Sequence, residues 1–414
     1  MELVRRSLEP VLSQLLDDEP VVVLQGPRAC GKTTLVTGFA DRLGRDVLDF
    51  GDPRERTVAH EDPTSYLDRR PEPVFIDEFQ QVPDVLAVIK RSVDRRPRSG
   101  AFVLTGSTTQ DLLPKGTETL AGRSINLTLW GFSQGEVDGV TERFVDRLFD
   151  SPSELLSHRD AATRAEYAMR IARGGFPDVV RRSRVDAKRR WLTEYARRVA
   201  DRDLADLVRL RQPGVFRSVL ELASARTSDM LNVSGLANDL RAGREAVTAY
   251  IELLERVFLI RRLRAYSRNM TARVARHPKL HVTDSGLAAA LSRLDENTAG
   301  RSPHFGHLME TFVVSEVVKQ LGWATNECEP WFFRDHDGNE VDLVLERSDG
   351  SIVGIEVKSA SSVDAADAAG LRRLRQLTGP AFLHGVVLYT GSTSVRLAAD
   401  DQLTAHPVSV LWAA

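Results

Sequence analysis

The chain has 414 residues, of which 42% are hydrophobic and 28% are charged, and its formal net charge is −2. This length is too great for one hydrophobic core and predicts two or three domains. No apolar run approaches the roughly 20 residues that span a bilayer, the N-terminus lacks the apolar core of a signal peptide, and two distant cysteines offer neither a disulfide framework nor metal spacing. These features exclude membrane-spanning and disulfide-rich secreted proteins and predict a reducing, cytoplasmic location without membrane partners.

A glycine-rich loop follows the first predicted strand. The apolar run Val21–Leu24 leads into Gly26–Thr33, which fits the pattern G-x-x-x-x-G-K-[ST]. A strand that delivers the chain into such a loop, and then into a helix, places backbone N–H groups and the helix dipole around a phosphate. Lys32 would reach the β- and γ-phosphates, and the Thr33 hydroxyl would bind Mg²⁺. The predicted ATP-binding residues of this loop are Gly26, Pro27, Arg28, Ala29, Cys30, Gly31, Lys32, Thr33 and Thr34.

Two residues of the loop have a second interpretation. Cys30 neighbours Lys32 and a helix N-terminus, and such surroundings lower the pKa of a thiol. A redox switch is therefore an alternative to a simple filler residue at this position. Arg28 is a candidate for contact with a phosphate or with Glu78, and a surface arginine is its alternative.

Two further predicted strands end in polar side chains. Val74–Glu78 is an apolar run that ends in two carboxylates, the form of a Walker B element. Asp77 would hold Mg²⁺ through water, and Glu78 would polarise the attacking water as a general base. A solvated acidic pair is the alternative. The run Ala101–Ser107 ends in a hydroxyl, so Ser107 is the candidate sensor of the γ-phosphate in an AAA-type fold.

Arg123 precedes another predicted strand, Ile125–Leu129. From there it would stabilise the charge that develops during phosphoryl transfer. It would do so either at the phosphates of its own chain or, as an arginine finger, at the site of a neighbouring subunit, which requires a homo-oligomer. A surface arginine is the alternative, since the chain has many.

From about residue 141 the pattern becomes helical and rich in arginine. Residues 181–211 hold eleven Lys and Arg against five Asp and Glu, on a predicted long helix around Trp191–Leu210. A charge run of this kind is usually a solvated face. Contact with nucleotide phosphates, a neighbouring subunit or DNA is the alternative.

The segment Phe216–Val282 has the pattern of a winged helix, three helices and then two strands that flank a wing. The third helix, Arg244–Glu255, would take the recognition position. The stretch from Arg256 to Lys279 has eight Lys and Arg and no acidic residue, which favours a phosphate-bearing partner, DNA or RNA. The alternative is a module that only packs domains together. The predicted contacts are Arg244, Arg261, Arg262, Arg264, Arg268, Arg273 and Arg276.

Residues 300–390 contain a second set of chemistry-bearing side chains. The alternation of strand residues puts Glu356 and Lys358 on one face of a predicted strand, and Asp342 lies on the strand before it. An amphipathic helix with Glu310 and Glu316 precedes these strands in the sequence. This helix spans Gly306–Leu321, and the predicted strands that follow are Trp331–Arg334, Glu340–Leu345 and Ile352–Lys358.

These residues have the D…(E/D)-x-K arrangement of PD-(D/E)XK phosphodiesterases. Asp342 and Glu356 would hold Mg²⁺ or Mn²⁺, and Lys358 would orient or deprotonate water. An acid of the preceding helix would complete the metal shell, with Glu310 preferred to Glu316. Such domains are often inactive nucleic-acid or protein modules, so the fold does not by itself predict cleavage.

By these motifs the chain resembles a family of prokaryotic AAA-type ATPases with a C-terminal domain of unknown function, itself assigned to the PD-(D/E)XK fold. The resemblance covers nearly the whole chain and implies ATP binding. It rests on Gly26–Thr33, Val74–Glu78, Leu104–Ser107, Leu120–Arg123, Gly174–Pro177, Thr283–Leu287, Gly306–Glu310 and Asp342 with Glu356-x-Lys358.

The predicted fold class is α/β. It comprises an AAA-type P-loop NTPase domain (1–140), a helical segment (141–215), a winged-helix-like segment (216–290) and a C-terminal α/β PD-(D/E)XK-like domain (291–414). In one functional hypothesis, a Mg²⁺-dependent ATPase is coupled to a nuclease-like domain that acts on or recognises nucleic acid. In the other, ATP drives a regulatory or toxin–antitoxin/defence-type switch, and the C-terminal domain is a catalytically inactive binding module. The basic wing favours the first hypothesis, and the scarcity of aromatic residues in basic segments disfavours it.

Overall fold

The computed structural model describes residues 4–109, 117, 119–200, 213–269, 271, 273, 276–397 and 402–413. The chain divides into an N-terminal unit, residues 1–131 and 256–258, and a C-terminal unit, residues 132–255 and 259–414. The N-terminal unit ends at residue 131, and the predicted domain boundaries stay predictions. Residues after 131 join the C-terminal unit because the Phe132 N–H donates to the Gly175 carbonyl and the Gln134 N–H donates to Glu316. Within the described residues, no helix is long and apolar enough to cross a membrane.

The N-terminal unit is built on one parallel sheet. Its strands are β1 (Val21–Gln25), β2 (Val47–Asp49), β3 (Val74–Asp77), β4 (Phe102–Gly106) and β5 (Ser124–Thr128). They lie in the order β2-β3-β4-β1-β5. Its helices are α1 (Glu9–Asp18), α2 (Lys32–Arg42), α3 (Pro53–Glu61), α4 (Pro63–Asp68) and α5 (Val85–Arg95), with a 3-10 turn at Phe79–Gln81. Parallel strands need such crossover connections, and the predicted α/β class is confirmed.

The apolar runs of the N-terminal unit form the interior of this sheet. Residues Val21–Leu24 of β1 are fully buried, and every residue of β3 and β4 is buried. Continuous apolar runs are expected of parallel strands that are covered on both faces. The carboxyl ends of β1, β3 and β4 therefore meet at one edge, which carries the polar residues that follow each strand.

The C-terminal unit begins with short helices. These are α6 (Gln134–Asp138), α7 (Phe144–Asp150), α8 (Arg164–Arg173), α9 (Pro177–Val180) and α10 (Val185–Arg198), with a 3-10 turn at Pro152–Ser157. Helix α10 corresponds to the first part of the predicted long helix around Trp191–Leu210. Residues 201–212 of that prediction lie outside the described residues.

Three helices and a two-stranded antiparallel sheet follow in the predicted order. They are α11 (Pro213–Ala225), α12 (Val233–Leu240), α13 (Arg244–Arg256), β6 (Ile260–Leu263) and β7 (Lys279–Val282). Strand β6 begins two residues after Phe258, which adopts a left-handed backbone with φ +61°.

The remainder of the C-terminal unit is a mixed sheet with helices around it. The helices are α14 (Ser285–Leu291), α15 (Phe305–Gln320), α16 (Ala369–Thr378) and α17 (Val410–Ala413), with 3-10 turns at Ala299–Arg301, Ala365–Ala368 and Gly379–Ala381. The strands are β8 (Cys328–Arg334), β9 (Glu340–Arg347), β10 (Ile352–Lys358), β11 (Phe382–Tyr389), β12 (Val395–Arg396) and β13 (Leu403–Pro407), in the order β12-β13-β11-β10-β9-β8. Strands β8 to β10 are an antiparallel meander, and β11 lies parallel to β10 after α16.

The outer edge of this sheet is covered by the chain that follows β6. The Phe332 N–H of β8 donates to the Arg264 carbonyl at 2.9 Å, and the Tyr266 N–H donates to the Phe332 carbonyl at 2.6 Å. Ala265 accordingly pairs in parallel with Phe332. Backbone pairing thus joins the predicted wing to the C-terminal sheet.

Two motifs of the sequence meet in a buried turn. Gly174, the residue after α8, has φ +65°, and a Cβ at this position would lie 2.3 Å from Asp284. The Asp284 carboxylate accepts hydrogen bonds from Gly175 N–H (2.8 Å) and from Leu287 N–H (2.9 Å), so it caps α14 and holds the turn. The motifs Gly174–Pro177 and Thr283–Leu287 therefore contact each other and stabilise the same buried turn.

The last helix closes the same unit. The Trp412 ring of α17 packs edge-on against Tyr167 of α8 and Phe312 of α15, with centroids 6.3 and 5.9 Å apart. The Gln320 amide donates to the Leu411 carbonyl at 2.7 Å. Helix α17 thus contacts residues that lie about 90 to 250 positions earlier in the chain.

Candidate functional site

The glycine-rich loop leaves β1 in a conformation that requires glycine. Gly26 has φ +152°, and a Cβ there would lie 2.0 Å from the Leu129 carbonyl oxygen. Gly31, just before α2, has φ +102°. The chain therefore turns tightly between the centre of the sheet and the N-terminus of α2, which is the geometry of a phosphate loop.

Lys32 is held inside this loop. Its side chain is buried, and Nζ donates to the carbonyls of Gly26 and Pro27, at 2.9 Å each. An ammonium has three donors, so these two bonds occupy two of them. The loop thus brings a cation together with the N-terminus of a helix.

Thr33 and Asp77 are direct neighbours beside the loop. The Thr33 hydroxyl donates to Asp77 Oδ2 at 2.6 Å, and Asp77 is only 3% exposed. Thr105 of β4 donates to the other oxygen of Asp77, and its own Oγ1 accepts from the Glu78 N–H at 3.2 Å. Hydroxyl and carboxylate oxygens suit Mg²⁺, so Thr33 and Asp77 are the residues that fit this ion.

Glu78 has a left-handed backbone, with φ +53° and ψ +44°. Such a conformation is uncommon outside glycine and occurs often at functional sites. Its carboxylate accepts hydrogen bonds from the Gln80 amide and, at 3.3 Å, from the Ser107 hydroxyl. The Gln80 amide also donates to the Ser107 oxygen at 3.2 Å. The second carboxylate of the motif and the candidate sensor are therefore neighbours.

Sequence reasoning missed two residues of this edge, Thr105 and Gln80. Thr105 joins both acids, and Gln80 joins Glu78 to Ser107. The available signal for Thr105 is its position: it is a polar residue that directly follows the apolar run Phe102–Leu104 within the same predicted strand. Gln80 carries no comparable signal, since it lies in the 3-10 turn after β3 and outside the predicted strands.

The other predicted loop residues differ in exposure. Arg28, Ala29 and Thr34 are exposed. The Cys30 thiol is fully buried and donates to the Leu129 carbonyl at 3.2 Å. A redox-reactive thiol must be accessible, so the redox alternative for Cys30 is wrong and the residue fills space in the core.

Arg123 lies at the amino-terminal end of the parallel strands, whereas the loop lies at their carboxyl end. Strand β5 runs parallel to β1 and pairs Ser124 with Val21, so Arg123 precedes the start of its strand. Five strand residues span roughly 16 Å, which separates Arg123 from the loop of its own chain. Its guanidinium pairs instead with Asp94, at 2.6 and 3.2 Å. The prediction of a contact within the same chain is wrong, and the arginine finger towards a second subunit stays a prediction.

The C-terminal acids surround Lys279, the last residue of the basic stretch that begins at Arg256. Lys279 of β7 is 3% exposed, and its Nζ lies 2.7 Å from Glu310 Oε1 and 3.0 Å from Asp342 Oδ1. It also contacts the Glu340 carboxylate. Burial alone would lower the pKa of this ammonium, but the Asp342, Glu310 and Glu340 carboxylates raise its pKa above the usual range. The three surrounding carboxylates therefore favour the charged form of Lys279.

Glu356 and Lys358 form their own pair beside this cluster. Lys358 Nζ donates to Glu356 Oε1 at 2.9 Å, and Asp342 Oδ2 accepts from the Val357 N–H at 2.9 Å. Burial, and then the Asp342 carboxylate, raise the pKa of Glu356 to about 8. Burial and Asp342 also raise the pKa of Glu310 well above its ordinary value. The fold thus brings together Glu310, Asp342, Glu356 and Lys358, as their order in the sequence predicts.

Glu316, the second candidate for the helix acid, lies elsewhere. It is 1% exposed, accepts from the Gln134 N–H at 2.8 Å and pairs with Lys319 at 2.6 Å. It therefore satisfies the N-terminus of α6 rather than the acidic cluster. Of the two helix acids, Glu310 is the one that lies beside Asp342.

Most of the predicted nucleic-acid contacts have a protein partner. Arg273 makes a bidentate ion pair with Glu346, at 2.6 and 2.7 Å, and Arg262 pairs with Glu255. Arg244, at the start of α13, is exposed. Other contacts run from Arg264 to the Trp331 ring, from Arg268 to the Leu377 carbonyl and from Arg276 to the Arg334 carbonyl. These partners favour the alternative in which the segment packs domains together.

Three family matches cover most of the chain. Residues 18–138 match an AAA domain, residues 164–298 a domain of unknown function (DUF8612) and residues 305–411 another domain of unknown function (DUF4143). Together with the loop geometry, the first match makes the N-terminal unit an AAA-type P-loop domain. The last match agrees with the predicted C-terminal domain of unknown function.

The chain is also similar to two curated mycobacterial proteins. It is 29% identical over 420 residues to an uncharacterized protein of Mycobacterium tuberculosis and, to the same extent, to one of Mycobacterium bovis. Each alignment covers 99% of this chain and 87% of the relative.

Solved structures show a more distant likeness. A Walker-type ATPase of Pyrococcus abyssi matches with a TM-score of 0.42 and 15% identity, over 70% of this chain and 96% of that chain. The RuvB Holliday junction branch migration motor of Thermotoga maritima matches with a TM-score of 0.29 and 19% identity, over 62% and 88%. AMPPCP-bound DnaA of Aquifex aeolicus matches with a TM-score of 0.29 and 12% identity, over 59% and 86%. At these TM-scores nothing further follows for this chain.

Proposed function

We propose that this is a cytoplasmic, Mg²⁺-dependent ATPase whose nucleotide state controls a C-terminal recognition module. The observation that carries the proposal is the edge of the parallel sheet, where the ends of three strands bring Thr33, Asp77, Glu78 and Ser107 together next to Lys32. The AAA domain match over residues 18–138 supports the same assignment.

Each group of this edge has a defined task in ATP hydrolysis. Lys32 would exchange its carbonyl partners for phosphate oxygens, and Thr33 directly and Asp77 through water would hold Mg²⁺. The ion would neutralise charge on the phosphates. Glu78 accepts the proton of the attacking water at its carboxylate. Ser107 and Gln80 hold this carboxylate, so a shift of either residue changes the position of the base.

The direct test is ATP turnover by Glu78→Gln. We expect this variant to bind ATP and to hydrolyse it at least ~100-fold more slowly, the usual size of the loss of a general base. Lys32→Ala should lose tight ATP binding, because the phosphates lose the buried cation of the loop. Glu61→Gln, an exposed acid of α3, is the matched control and should keep the wild-type rate. Turnover at the wild-type rate in Glu78→Gln would reject the assignment.

For the C-terminal unit, we propose recognition rather than cleavage. The supporting observation is the ammonium of Lys279, which lies among the acids that a nuclease would use for a metal ion. The test incubates the full chain with Mg²⁺ or Mn²⁺, with and without ATP, on supercoiled, linear and single-stranded nucleic acids. We expect no cleavage. Cleavage that disappears in Lys358→Ala would establish the competing nuclease hypothesis.

A further inference from the structure

The acidic cluster of the C-terminal unit already contains a cation. Its members are Glu310 of α15, Glu340 and Asp342 of β9, and Glu356 of β10. Three of these four carboxylates contact the single ammonium of Lys279. The D…E-x-K pattern implies a divalent metal ion among the same acids.

We propose that Lys279 is the resident cation of this cluster, in place of the divalent metal ion that the pattern implies. The inference deepens the proposed recognition role of the C-terminal unit and rests on it. The lysine fastens β7 to the C-terminal sheet and occupies the oxygen ligands of Glu310 and Asp342.

The donors and acceptors around Lys279 match in number. The ammonium has three N–H donors, and it contacts three carboxylates, those of Glu310, Glu340 and Asp342. The second oxygen of Asp342 accepts from the Val357 N–H, and the Glu356 carboxylate pairs with Lys358. A divalent ion would have to displace a buried ammonium and leave its charge uncompensated, which is costly.

The backbone of Lys279 keeps the ammonium in this position. Lys279 pairs with Leu263 of β6 on one side and forms a bridge with Met230 on the other. The Leu280 N–H donates to the Asp229 carbonyl at 2.9 Å, and the Leu231 N–H donates to the Pro278 carbonyl at 2.8 Å. Lys279 is thus part of a strand that is hydrogen-bonded on both edges.

A histidine lies beside the cluster. His281, two residues after Lys279, is buried, and its Nε2 lies 3.8 Å from Glu310 Oε1. Among the residues that the structure describes, no group of three or more His, Cys, Asp or Glu side chains is arranged to hold a metal ion.

Manganese titration of the full chain without nucleotide tests this inference. Thermal unfolding and calorimetry would follow wild type, Lys279→Met and Lys279→Met with Asp342→Asn. We expect Mn²⁺ to leave the Tm of wild type unchanged. Lys279→Met should unfold roughly 10 °C lower, since the acids lose their counter-ion, and Mn²⁺ should recover much of this loss. The added Asp342→Asn change should abolish that recovery.

Lys319→Met is the matched control, because Lys319 is another buried lysine of the same unit and pairs with Glu316. This variant should lose stability without recovery by Mn²⁺. An equal Mn²⁺ response in Lys319→Met, or a folded Lys279→Met that does not respond to Mn²⁺, would refute the inference. If Lys279→Met does not fold, the comparison of wild type with Asp342→Asn decides, because Mn²⁺ binding that needs Asp342 contradicts a resident lysine.

The nucleic-acid cleavage assay separates this inference from the proposed function. If wild type binds Mn²⁺ through Asp342 but cleaves no nucleic acid, the resident role of Lys279 is wrong and the recognition role stands. If wild type cleaves nucleic acid without Mn²⁺ binding that depends on Asp342, the recognition role is wrong and the resident role of Lys279 stands. Cleavage together with Asp342-dependent Mn²⁺ binding would overturn both proposals.

Discussion

Thr105 connects the two acidic residues at the end of β3. Its hydroxyl donates to Asp77 and accepts from the Glu78 N–H, so one side chain orients the metal ligand and the base. The N–H that it accepts from belongs to a residue with a left-handed backbone.

We predict that Thr105→Val slows ATP turnover about 10- to 100-fold, because small displacements of catalytic groups have effects of this size. Stability should fall by about 1–3 kcal/mol, since a buried N–H and a carboxylate oxygen lose their partner. Turnover at saturating ATP and the urea midpoint measure the two effects. Thr57→Val is the control, because the Thr57 hydroxyl is exposed and bonds only to Pro53. Equal turnover in both variants would remove Thr105 from the site.

Gly174 allows the turn after α8 to pack directly against Asp284, the residue that caps α14. We predict that Gly174→Ala costs about 3 kcal/mol or more, because the new Cβ meets the Asp284 carboxylate and the backbone conformation is almost restricted to glycine. Gly139→Ala is a matched control with a φ of +74° and no atom within 4 Å of a Cβ, and it should cost only about 1 kcal/mol. Equal losses in denaturant unfolding would show that strain alone, without the clash, accounts for Gly174.

At the scale of elements, the stretch between β6 and β7 packs against the C-terminal sheet. Arg273 lies over the Trp331 ring at 4.7 Å and forms a nearly buried ion pair with Glu346. Arg264 lies over the same ring at 4.7 Å, but its pair with Glu329 is exposed and 4.0 Å long. The two arginines thus share a ring and differ in the burial of their charge.

We predict that Arg273→Gln lowers the free energy of unfolding by about 3 kcal/mol, since Glu346 keeps a largely buried charge without a partner. Arg264→Gln should cost at most about 1 kcal/mol. Denaturant unfolding measures both, and binding to duplex DNA at low salt should not differ between the variants and wild type. A stable Arg273→Gln with weakened DNA binding would instead support the nucleic-acid hypothesis for this segment.

The elements around the phosphate loop could be predicted because each is a continuous apolar run with one chemical group at its end. Lys279 could not be found in this way, since it is 63 residues from Asp342 and no spacing rule joins them. Its sequence signal is a charged residue at the start of the short strand Lys279–Val282. The placement of Arg123 needed one further fact, the parallel direction of β5, which the residues around it do not encode. For the basic wing, charge counts do not show which arginines have acidic partners, and its contact with nucleic acid stays a prediction.

At the scale of the whole molecule, Arg123 bears on assembly. It lies at the amino-terminal end of the strands, far from the loop of its own chain. It could therefore reach the phosphates of a bound ATP only on another copy of the chain. We predict that ATP turnover per wild-type chain rises with protein concentration and that Arg123→Ala stays at the low rate throughout. Asp94→Asn is the control, because it removes the partner of Arg123 and leaves the arginine in place. Turnover that is independent of concentration, or equal losses in both variants, would leave Arg123 with a structural role.

The position of α17 has a consequence for the order in which the chain can fold during translation. The five strands of the N-terminal sheet lie within the first 128 residues, so this sheet can form while the ribosome is still making the rest. The core around Tyr167 and Phe312 stays open until Trp412 has been synthesised. Apolar surface of the C-terminal unit therefore stays exposed until Trp412 has been made, a period in which chaperones bind and aggregation competes with folding.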